Sequence, residues 1–290
     1  MLFSCTSKKS EPVLLGPGGS ASSISTVCTQ VENYYFPESK AFVSILDQGS
    51  VAVTDFALGN FSVAENGKPT IVTGVKRVNN LEEPLSTALV IDRSGSMGTT
   101  VMEAAKDAAK TYVSAMASTD SAAVILYDDQ IEVTQSWTSD KNVLISAIDT
   151  AVARGGTATY DAILRGVDEL KKQRGRKVVL VLTDGDDNAS SNSNADTIVK
   201  VNKGGVCAFC IGVGGGVDMT NLTAIANGTG GRSYEAQTSD LAALFQQVLY
   251  QLNNQVQINF RSRLGDNPRE LTIYLNYGTL STTFKKTYGF

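Results

Sequence analysis

The stretch ALVIDRSGSMGTT, residues 88–100, decides how the chain is organised. It begins with a continuous apolar run, which is typical of a strand that is buried on both faces of a parallel sheet. Asp92 ends that run, and the hydroxyls of Ser94 and Ser96 follow at alternate positions. In an open parallel sheet, ligands bind beyond the carboxyl ends of the strands. The stretch therefore predicts a buried strand with a polar site at its end.

The residues that follow alternate between helix and strand patterns. Segment 99–116 carries apolar residues at helical spacing, and KVVLVLTDG, residues 177–185, is a second buried-strand pattern that is followed by an aspartate and a glycine. The alternation continues to about Asn253, where the helical pattern DLAALFQQVLYQL ends. This order predicts an α/β fold with a doubly wound, mostly parallel sheet.

The flanking segments have the patterns of antiparallel strands. Asn66-Gly67 lies between FSVAE and KPTIVTGV and is a strong hairpin signal. Period-two alternation returns in QVQINFRSR and ELTIYLNYG, and since three strands alone would be marginal, we expect them to join the early strands in one small β-sandwich. The predicted units are a flexible tether at 1–37, the first part of the sandwich at 38–85, the inserted α/β domain at 86–253 and the second part of the sandwich at 254–290.

The composition excludes several classes of function. Lys and Arg number 25 against 29 Asp and Glu, which argues against nucleic acid as a partner. The chain has no histidine, and this absence excludes Ser-His and Cys-His nucleophile pairs and imidazole metal sites. Cys207 and Cys210 lie in a buried-strand pattern, where positions three apart face opposite sides, so we predict core residues and not a redox pair.

The first residues are similar to the end of a bacterial lipoprotein signal. Leu2-Phe3-Ser4-Cys5 precedes a stretch rich in Ser and Lys, which would make Cys5 the lipidated residue. The charged and hydrophobic parts that usually come before such a cysteine are not in the sequence. Lipidation of Cys5 and an accidental likeness both stay open. The expected location is the cell envelope or the exterior, and a cytoplasmic location is the alternative.

Three polar loops are predicted to meet at one edge of the α/β sheet. They contribute five oxygen-bearing side chains, which we call the oxygen cluster: Asp92, Ser94, Ser96, Thr157 and Asp184. A set of hard oxygen donors without nitrogen or sulfur suits Mg²⁺, with Mn²⁺ or Ca²⁺ as alternatives, and argues against zinc and copper. With two carboxylates and weakly donating hydroxyls, a bound cation would keep a position that an outside carboxylate could fill.

These loops resemble the metal-ion-dependent adhesion site of the von Willebrand factor A domain. DRSGS matches the first element of that site, and Thr157 in GGTATYDA and Asp184 in LTDGDD match the other two in the family's order. The resemblance covers residues 85–253. It implies a doubly wound fold, a divalent cation at the oxygen cluster, and a protein partner that presents an Asp or Glu. The flanking segments are similar to a bacterial family of related proteins.

The favoured hypothesis is therefore a non-enzymatic, adhesion-type module that binds another protein through the cation. Candidate partner contacts at the rim of the site are Arg93, Met97, Tyr160 and Asp186. The identity of the partner and the oligomeric state are not determined by the sequence.

Three other interpretations remain open. A metal-assisted hydrolase would need a general base, for which only Asp161, Asp186 or Asp187 is available. A structural or mechanical protein of the cell envelope would use the final helix to pass movement between the α/β domain and the sandwich. Finally, Ser94 or Ser96 could serve only as a helix cap.

Overall fold

The computed structural model describes residues 21–263 and 267–289, which form three sheets and six α-helices. The strands are β1 (Ile24–Tyr35), β2 (Glu38–Asp47), β3 (Phe61–Glu65), β4 (Lys68–Thr70), β5 (Val72–Arg77), β6 (Leu85–Asp92), β7 (Ser121–Tyr127), β8 (Ile131–Thr138), β9 (Arg176–Thr183), β10 (Cys207–Val213), β11 (Ser233–Ala236), β12 (Val256–Arg261), β13 (Arg269–Tyr277) and β14 (Leu280–Tyr288). The helices are α1 (Gly98–Ala115), α2 (Lys141–Asp149), α3 (Thr159–Leu170), α4 (Asn194–Lys203), α5 (Met219–Thr229) and α6 (Leu241–Asn253). Cys5 lies outside the described residues. Within them, no helix is both long and apolar enough to cross a membrane.

The central sheet has six strands in the order β11-β10-β9-β6-β7-β8, and all its pairs are parallel except that of β8 with β7. Helices α1, α2 and α6 pack on one face, and α3, α4 and α5 pack on the other. Every residue of β6, β9 and β10 is buried, which explains why their sequences are continuous apolar runs. Cys207 and Cys210 are buried in the cores on opposite faces of the sheet, as predicted. The predicted doubly wound α/β fold is confirmed.

The other two sheets form the β-sandwich, and each combines strands from before and after the α/β domain. Their orders are β1-β2-β12-β5 and β14-β13-β3-β4, and all their pairs are antiparallel. The two sheets share an apolar core. The predicted hairpin is present between β3 and β4, with positive φ angles of 47° at Asn66 and 73° at Gly67. The α/β domain is therefore inserted into the sandwich.

The prediction of a flexible tether at 1–37 is wrong for residues 24–35. These residues form β1, which pairs with β2 from Ile24 opposite Asp47 to Tyr35 opposite Glu38. The pairing register shifts twice along β1, so the apolar residues do not alternate strictly with the polar ones. Because of that irregularity, and because the segment is rich in Ser and Thr, its sequence does not show the alternating pattern from which a strand is predicted.

A buried guanidinium joins the sandwich to the α/β domain. Arg176, at the start of β9, is only 2% exposed. It donates hydrogen bonds to Glu83 O at 2.8 Å and Asn80 Oδ1 at 2.9 Å, on the chain that enters the α/β domain. It also donates to Leu252 O and, at 3.3 Å, to Gln255 Oε1, on the chain that leaves the domain. One side chain therefore hydrogen-bonds both connections between the sandwich and the α/β domain.

Glu32→Gln is expected to stabilise the protein at pH 8 and to change its stability little at pH 4. Glu32 lies on β1 near the same junction and accepts a hydrogen bond from Gln30 Nε2 at 2.9 Å. Burial and the charge of Glu83 raise the pKa of Glu32 from 4.5 to about 7, although Lys40 and Lys177 act in the opposite direction. Between pH 4.5 and about pH 7 the folded state therefore binds more protons than the unfolded state, and the free energy of unfolding falls as the pH rises through this range.

An amide at position 32 removes that loss, so we expect a gain of about 1–2 kcal/mol in the free energy of unfolding at pH 8. Urea denaturation of both proteins at the two pH values measures the difference. A gain of the same size at pH 4 would mean that the titration of Glu32 is not its cause.

Candidate metal centre

Asp92 ends β6, the strand next to β9 in the middle of the central sheet, and its side chain is held on both sides. Ser94 N donates to Asp92 Oδ1 at 2.7 Å, and Thr183 Oγ1 donates to Asp92 Oδ2 at 2.6 Å. Asp92 and Thr183 are fully buried. The carboxylate is therefore fixed in orientation by the loop that follows β6 and by the end of β9.

The two serine hydroxyls connect Asp92 to the second carboxylate. Ser94 Oγ lies 3.1 Å from Ser96 Oγ, and Ser96 Oγ donates to Asp184 Oδ1 at 2.7 Å. Met97 is the N-cap of α1, and no side-chain hydrogen bond caps this helix. The interpretation of Ser94 or Ser96 as a cap of α1 is therefore wrong, and both hydroxyls face the oxygen cluster.

The loop before α3 brings Thr157 to the same place. Gly95 N donates to Gly155 O at 3.1 Å, which holds this loop against the residues that follow β6. Gly155 has a φ of +69°, and a Cβ on it would lie 2.5 Å from Asp129 Oδ1, so glycine is required there. A Cβ built on Gly185 would lie 3.4 Å from Ser96 Oγ and 3.7 Å from Thr157 Oγ1. The structure thus brings the predicted five residues together.

Two carboxyl groups share this partly buried site. Burial raises the pKa of Asp92 to about 6, against the opposing effect of its hydrogen bonds from Thr183 and Ser94, and the charge of Asp184 raises it further. Burial also raises the pKa of Asp184. A bound cation would stabilise both ionised carboxylates.

The donor set fits a hard divalent cation. No three Asp, Glu or Cys side chains in the described parts of the chain are placed to hold a metal, so hydroxyls would have to complete the set. The oxygen cluster supplies three of them beside its two carboxylates, and such oxygens suit Mg²⁺ or Ca²⁺.

Two of the predicted rim contacts are corrected by the structure. Met97 is only 1% exposed and packs in the core under α1. Arg93 is 6% exposed, and its guanidinium donates to Asp128 Oδ2 at 2.9 Å and to Glu132 Oε2 at 3.1 Å. Because both side chains turn inward after the strand ends, neither is available to a partner.

The other two predicted rim residues lie beside the oxygen cluster. Tyr160 and Asp186 line a cavity of about 230 Å³ together with Asp187 and Asp218. Asp186 is exposed, and Tyr160 is half-buried. Gly185, which follows Asp184, also lines this cavity, so the cavity adjoins the oxygen cluster.

Sequence analysis missed three residues that support or border the oxygen cluster. Thr183 holds Asp92, and Asn188 Oδ1 accepts a hydrogen bond from Thr157 N at 2.9 Å. Arg154 lies on the loop before Thr157 with its side chain 56% exposed, and its Nε donates to Asp128 Oδ2 at 2.7 Å. The sequence does contain a signal for Asp128, the acceptor of this hydrogen bond. Asp128 comes directly after a third buried strand, which is the same kind of position that Asp92 and Asp184 occupy.

Thr183→Val is expected to weaken binding of a divalent cation by about 10-fold. The substitution keeps the shape of the side chain but removes the hydroxyl that orients Asp92. Calorimetric titration of Mg²⁺ into metal-stripped protein measures the change. Thr87→Val is the matched control, because Thr87 is also buried on β6 but its hydroxyl hydrogen-bonds Tyr112 of α1, away from the oxygen cluster. An equal loss in both variants would argue against an effect through Asp92.

An open, mostly parallel sheet with helices on both faces and polar loops at the carboxyl ends of its central strands places this domain in the class of doubly wound α/β domains. The family model of the von Willebrand factor type A domain matches residues 88–248, and the chain belongs to that family.

Comparison with known proteins agrees with this assignment. An uncharacterized protein of Synechocystis, sll0103, is 27% identical over 179 residues, which are 59% of this chain and 42% of the relative. The chain thus spans less than half the length of this curated relative. A von Willebrand factor type A structure from Catenulispora acidiphila has a TM-score of 0.55 at 15% identity and covers 91% of this chain and 72% of its own.

Two further solved structures share the fold. Proximal thread matrix protein 1 from the mussel byssus, with a zinc-occupied metal-ion-dependent adhesion site motif, has a TM-score of 0.55 at 21% identity, covering 65% of this chain and 50% of its own. The von Willebrand factor domain of the type V pilus tip protein Mfa5 from Porphyromonas gingivalis has a TM-score of 0.50 at 13% identity, covering 59% of this chain and 95% of its own. At these identities the likeness establishes the fold.

Proposed function

We propose that this protein is a binding module that holds a divalent cation in the oxygen cluster and grips an acidic side chain of another protein through it. The observation that carries the proposal is the convergence of three loops, through which Ser96 Oγ contacts Asp184 Oδ1 at 2.7 Å and Asp92 is locked from both sides. These residues supply oxygen ligands in a preformed arrangement at the open edge of the sheet.

Mg²⁺ is the cation we propose, because the donors are carboxylate and hydroxyl oxygens and no imidazole or thiolate is available in the oxygen cluster. The mussel protein holds zinc in the corresponding kind of motif, which supports the presence of a divalent cation here. When bound, the cation supplies an electrophilic position that an outside carboxylate can occupy in place of water. The chain's own part is to hold Asp92 and Asp184 in place and to keep the mouth of the site open.

Binding is favoured over catalysis because the acids nearest the oxygen cluster already serve the loops. Asp187 accepts hydrogen bonds from Tyr160 N at 2.9 Å and from Ser190 Oγ at 2.6 Å. Asp161 accepts from Ser191 N at 2.8 Å; although burial raises the pKa of Asp161, its hydrogen bonds lower it below the ordinary value. A carboxylate with a lowered pKa is a weak general base. Asp186, the third candidate base, is exposed and accepts a hydrogen bond from Asp218 N at 2.5 Å. These interactions of the three acids favour binding over the alternative hydrolase.

We also propose that the protein acts at the cell envelope or outside the cell. The similarity of Cys5 and its neighbours to a lipoprotein signal supports this location, as does the likeness to a domain of a pilus tip protein. The partner is then a protein of the envelope or exterior that exposes an Asp or Glu.

The test uses Mn²⁺ as a paramagnetic probe in the metal-stripped protein. Bound Mn²⁺ enhances the relaxation of water protons, and the peptide acetyl-Gly-Asp-Gly-amide is expected to lower that enhancement by replacing a coordinated water. Acetyl-Gly-Asn-Gly-amide, which lacks the carboxylate, is the control and should have no effect. Mn²⁺ binding without any response to the aspartyl peptide would overturn the proposed function.

A further inference from the structure

Arg154 lies on the loop before Thr157, at the rim of the oxygen cluster, and backbone hydrogen bonds hold this loop in place. Its backbone N donates to Arg93 O at 2.7 Å, and the next residue accepts a hydrogen bond from Gly95 N at 3.1 Å through Gly155 O. These bonds join the loop before Thr157 to the loop after β6. The side chain of Arg154 is nevertheless 56% exposed.

The guanidinium of Arg154 is oriented by a buried carboxylate. Asp128 is 1% exposed, and its Oδ2 accepts hydrogen bonds from Arg154 Nε at 2.7 Å and from Arg93 Nε at 2.9 Å. Its Oδ1 accepts a hydrogen bond from Gln130 N at 2.6 Å, so both oxygens of the carboxylate are held by hydrogen bonds. The hydrogen bond to Asp128 and its negative charge raise the pKa of Arg154 above the ordinary value. Among the described residues, Asp128 is the hydrogen-bond acceptor of the Arg154 side chain, through Nε, so the two terminal nitrogens can each donate to a further acceptor.

The charges around the mouth differ on its two sides. On the side of β9 and α5, the cavity is lined by Asp186, Asp187 and Asp218. On the side of β7 and β8, Arg154 is exposed beside the acids Asp128, Asp129 and Glu132, whose charges act on it. An acidic partner segment is therefore repelled by the first side, and on the second side its favourable contact is with the exposed guanidinium of Arg154.

We propose that Arg154 binds a second acidic side chain of the partner, adjacent to the one that completes the coordination of the cation. The proposal rests on the proposed function. A guanidinium whose Nε is already fixed can offer its terminal nitrogens as a pair of donors to one carboxylate. The preferred partner is thus a protein segment with two acidic residues close together, of which one reaches the cation and the other lies on the side of β7.

The test compares three peptides on the Mn²⁺-loaded protein. The first, acetyl-Gly-Asp-Gly-Asp-Gly-amide, has two acids, and in each of the other two one Asp is replaced by Asn. The wild type is expected to bind the two-acid peptide roughly threefold to tenfold more tightly than either single-acid peptide, measured by loss of water proton relaxation enhancement. Variants with zero, two or three glycines between the acids identify the best spacing.

Arg154→Gln is expected to reduce this preference to about twofold, the statistical advantage of two acids that can each reach the cation. Arg165→Gln is the matched control, because Arg165 is also exposed but lies on α3 and pairs with Glu169 at 3.1 Å; this variant should keep the preference. Mn²⁺ affinity is measured for each protein, so that peptides are compared at equal metal occupancy.

The outcomes separate the two proposals. If Mn²⁺ binds and no aspartyl peptide displaces its water, the proposed function fails. If a single-acid peptide binds and the second acid adds nothing at any spacing, or adds the same in Arg154→Gln, the role of Arg154 is overturned while the proposed function stands.

Discussion

Asp92→Asn is expected to lower the affinity for Mg²⁺ and Mn²⁺ by more than about 100-fold, since loss of a direct ligand should exceed the 10- to 100-fold cost of losing a supporting group. Asp92 supplies one of the two carboxylates of the oxygen cluster and is the one fixed by Ser94 N and Thr183 Oγ1. The amide keeps the size of the side chain and can still accept the bond from Ser94 N. Calorimetric titration of metal-stripped wild type and variant measures the loss.

The stability of the metal-free protein provides an internal control for the same variant. Burial raises the pKa of Asp92 to about 6, so at pH 7 the carboxylate is mostly ionised and its buried charge lowers the stability of the folded, metal-free protein. The variant should therefore melt at the same temperature as the wild type without metal, or at a higher one, and lose the increase that Mg²⁺ produces. Asp129→Asn, which removes an exposed charge nearby, should keep that increase. If Asp92→Asn also keeps it, the oxygen cluster is not the cation site.

The fold and the oxygen cluster could be predicted because local sequence determines both. Strands buried on both faces must be continuously apolar, as β6 and β9 are, and their carboxyl ends must lie at the same edge of a parallel sheet. The positions of Asp92 and Asp184 at that edge follow from these two facts. Thr157 is placed there by the glycines before it, which permit the loop to lie against Gly95.

The rim residues could not be predicted in the same way, because side-chain direction beyond a strand end follows no period. Arg93 and Met97 turn inward, where Arg93 pairs with Asp128, an acid from a distant part of the sequence. Arg154 is exposed for the related reason that Asp128 holds only its Nε. Such pairing depends on the tertiary arrangement of three loops, and the sequence of any one of them does not specify it.

The junction between the sandwich and the α/β domain depends on a similar long-range arrangement. Arg176 begins the strand that ends next to Asp184, and it fastens the chain on both sides of the inserted domain. Burial lowers the pKa of Arg176 to about 10, which reflects the cost of removing its charge from water. Its hydrogen-bond acceptors among the described residues are neutral carbonyl groups, and the charges of Asp120 and Glu83 offset part of this cost.

Arg176→Met is expected to lower the free energy of unfolding by about 2–4 kcal/mol. The substitution removes the unfavourable burial of a charge, but it leaves buried acceptors at Glu83, Leu252, Asn80 and Gln255 without their donor. Each buried group without a partner costs about 1–3 kcal/mol, so several of them outweigh the gain from removing the charge. Urea denaturation measures the total effect.

The same variant tests whether Arg176 couples the two units. If it does, calorimetric unfolding of Arg176→Met should separate into two transitions, since the remaining contacts at the junction are weaker than the cores on either side. Arg174→Met is the matched control, because Arg174 is an exposed arginine two residues earlier and its replacement should keep one transition and nearly the same stability.

If Arg176→Met were as stable as the wild type, burying the guanidinium would cost as much free energy as its hydrogen bonds contribute. In that case the junction would be held by the apolar and amide contacts around Arg176, and the cation at this position would need a reason other than stability.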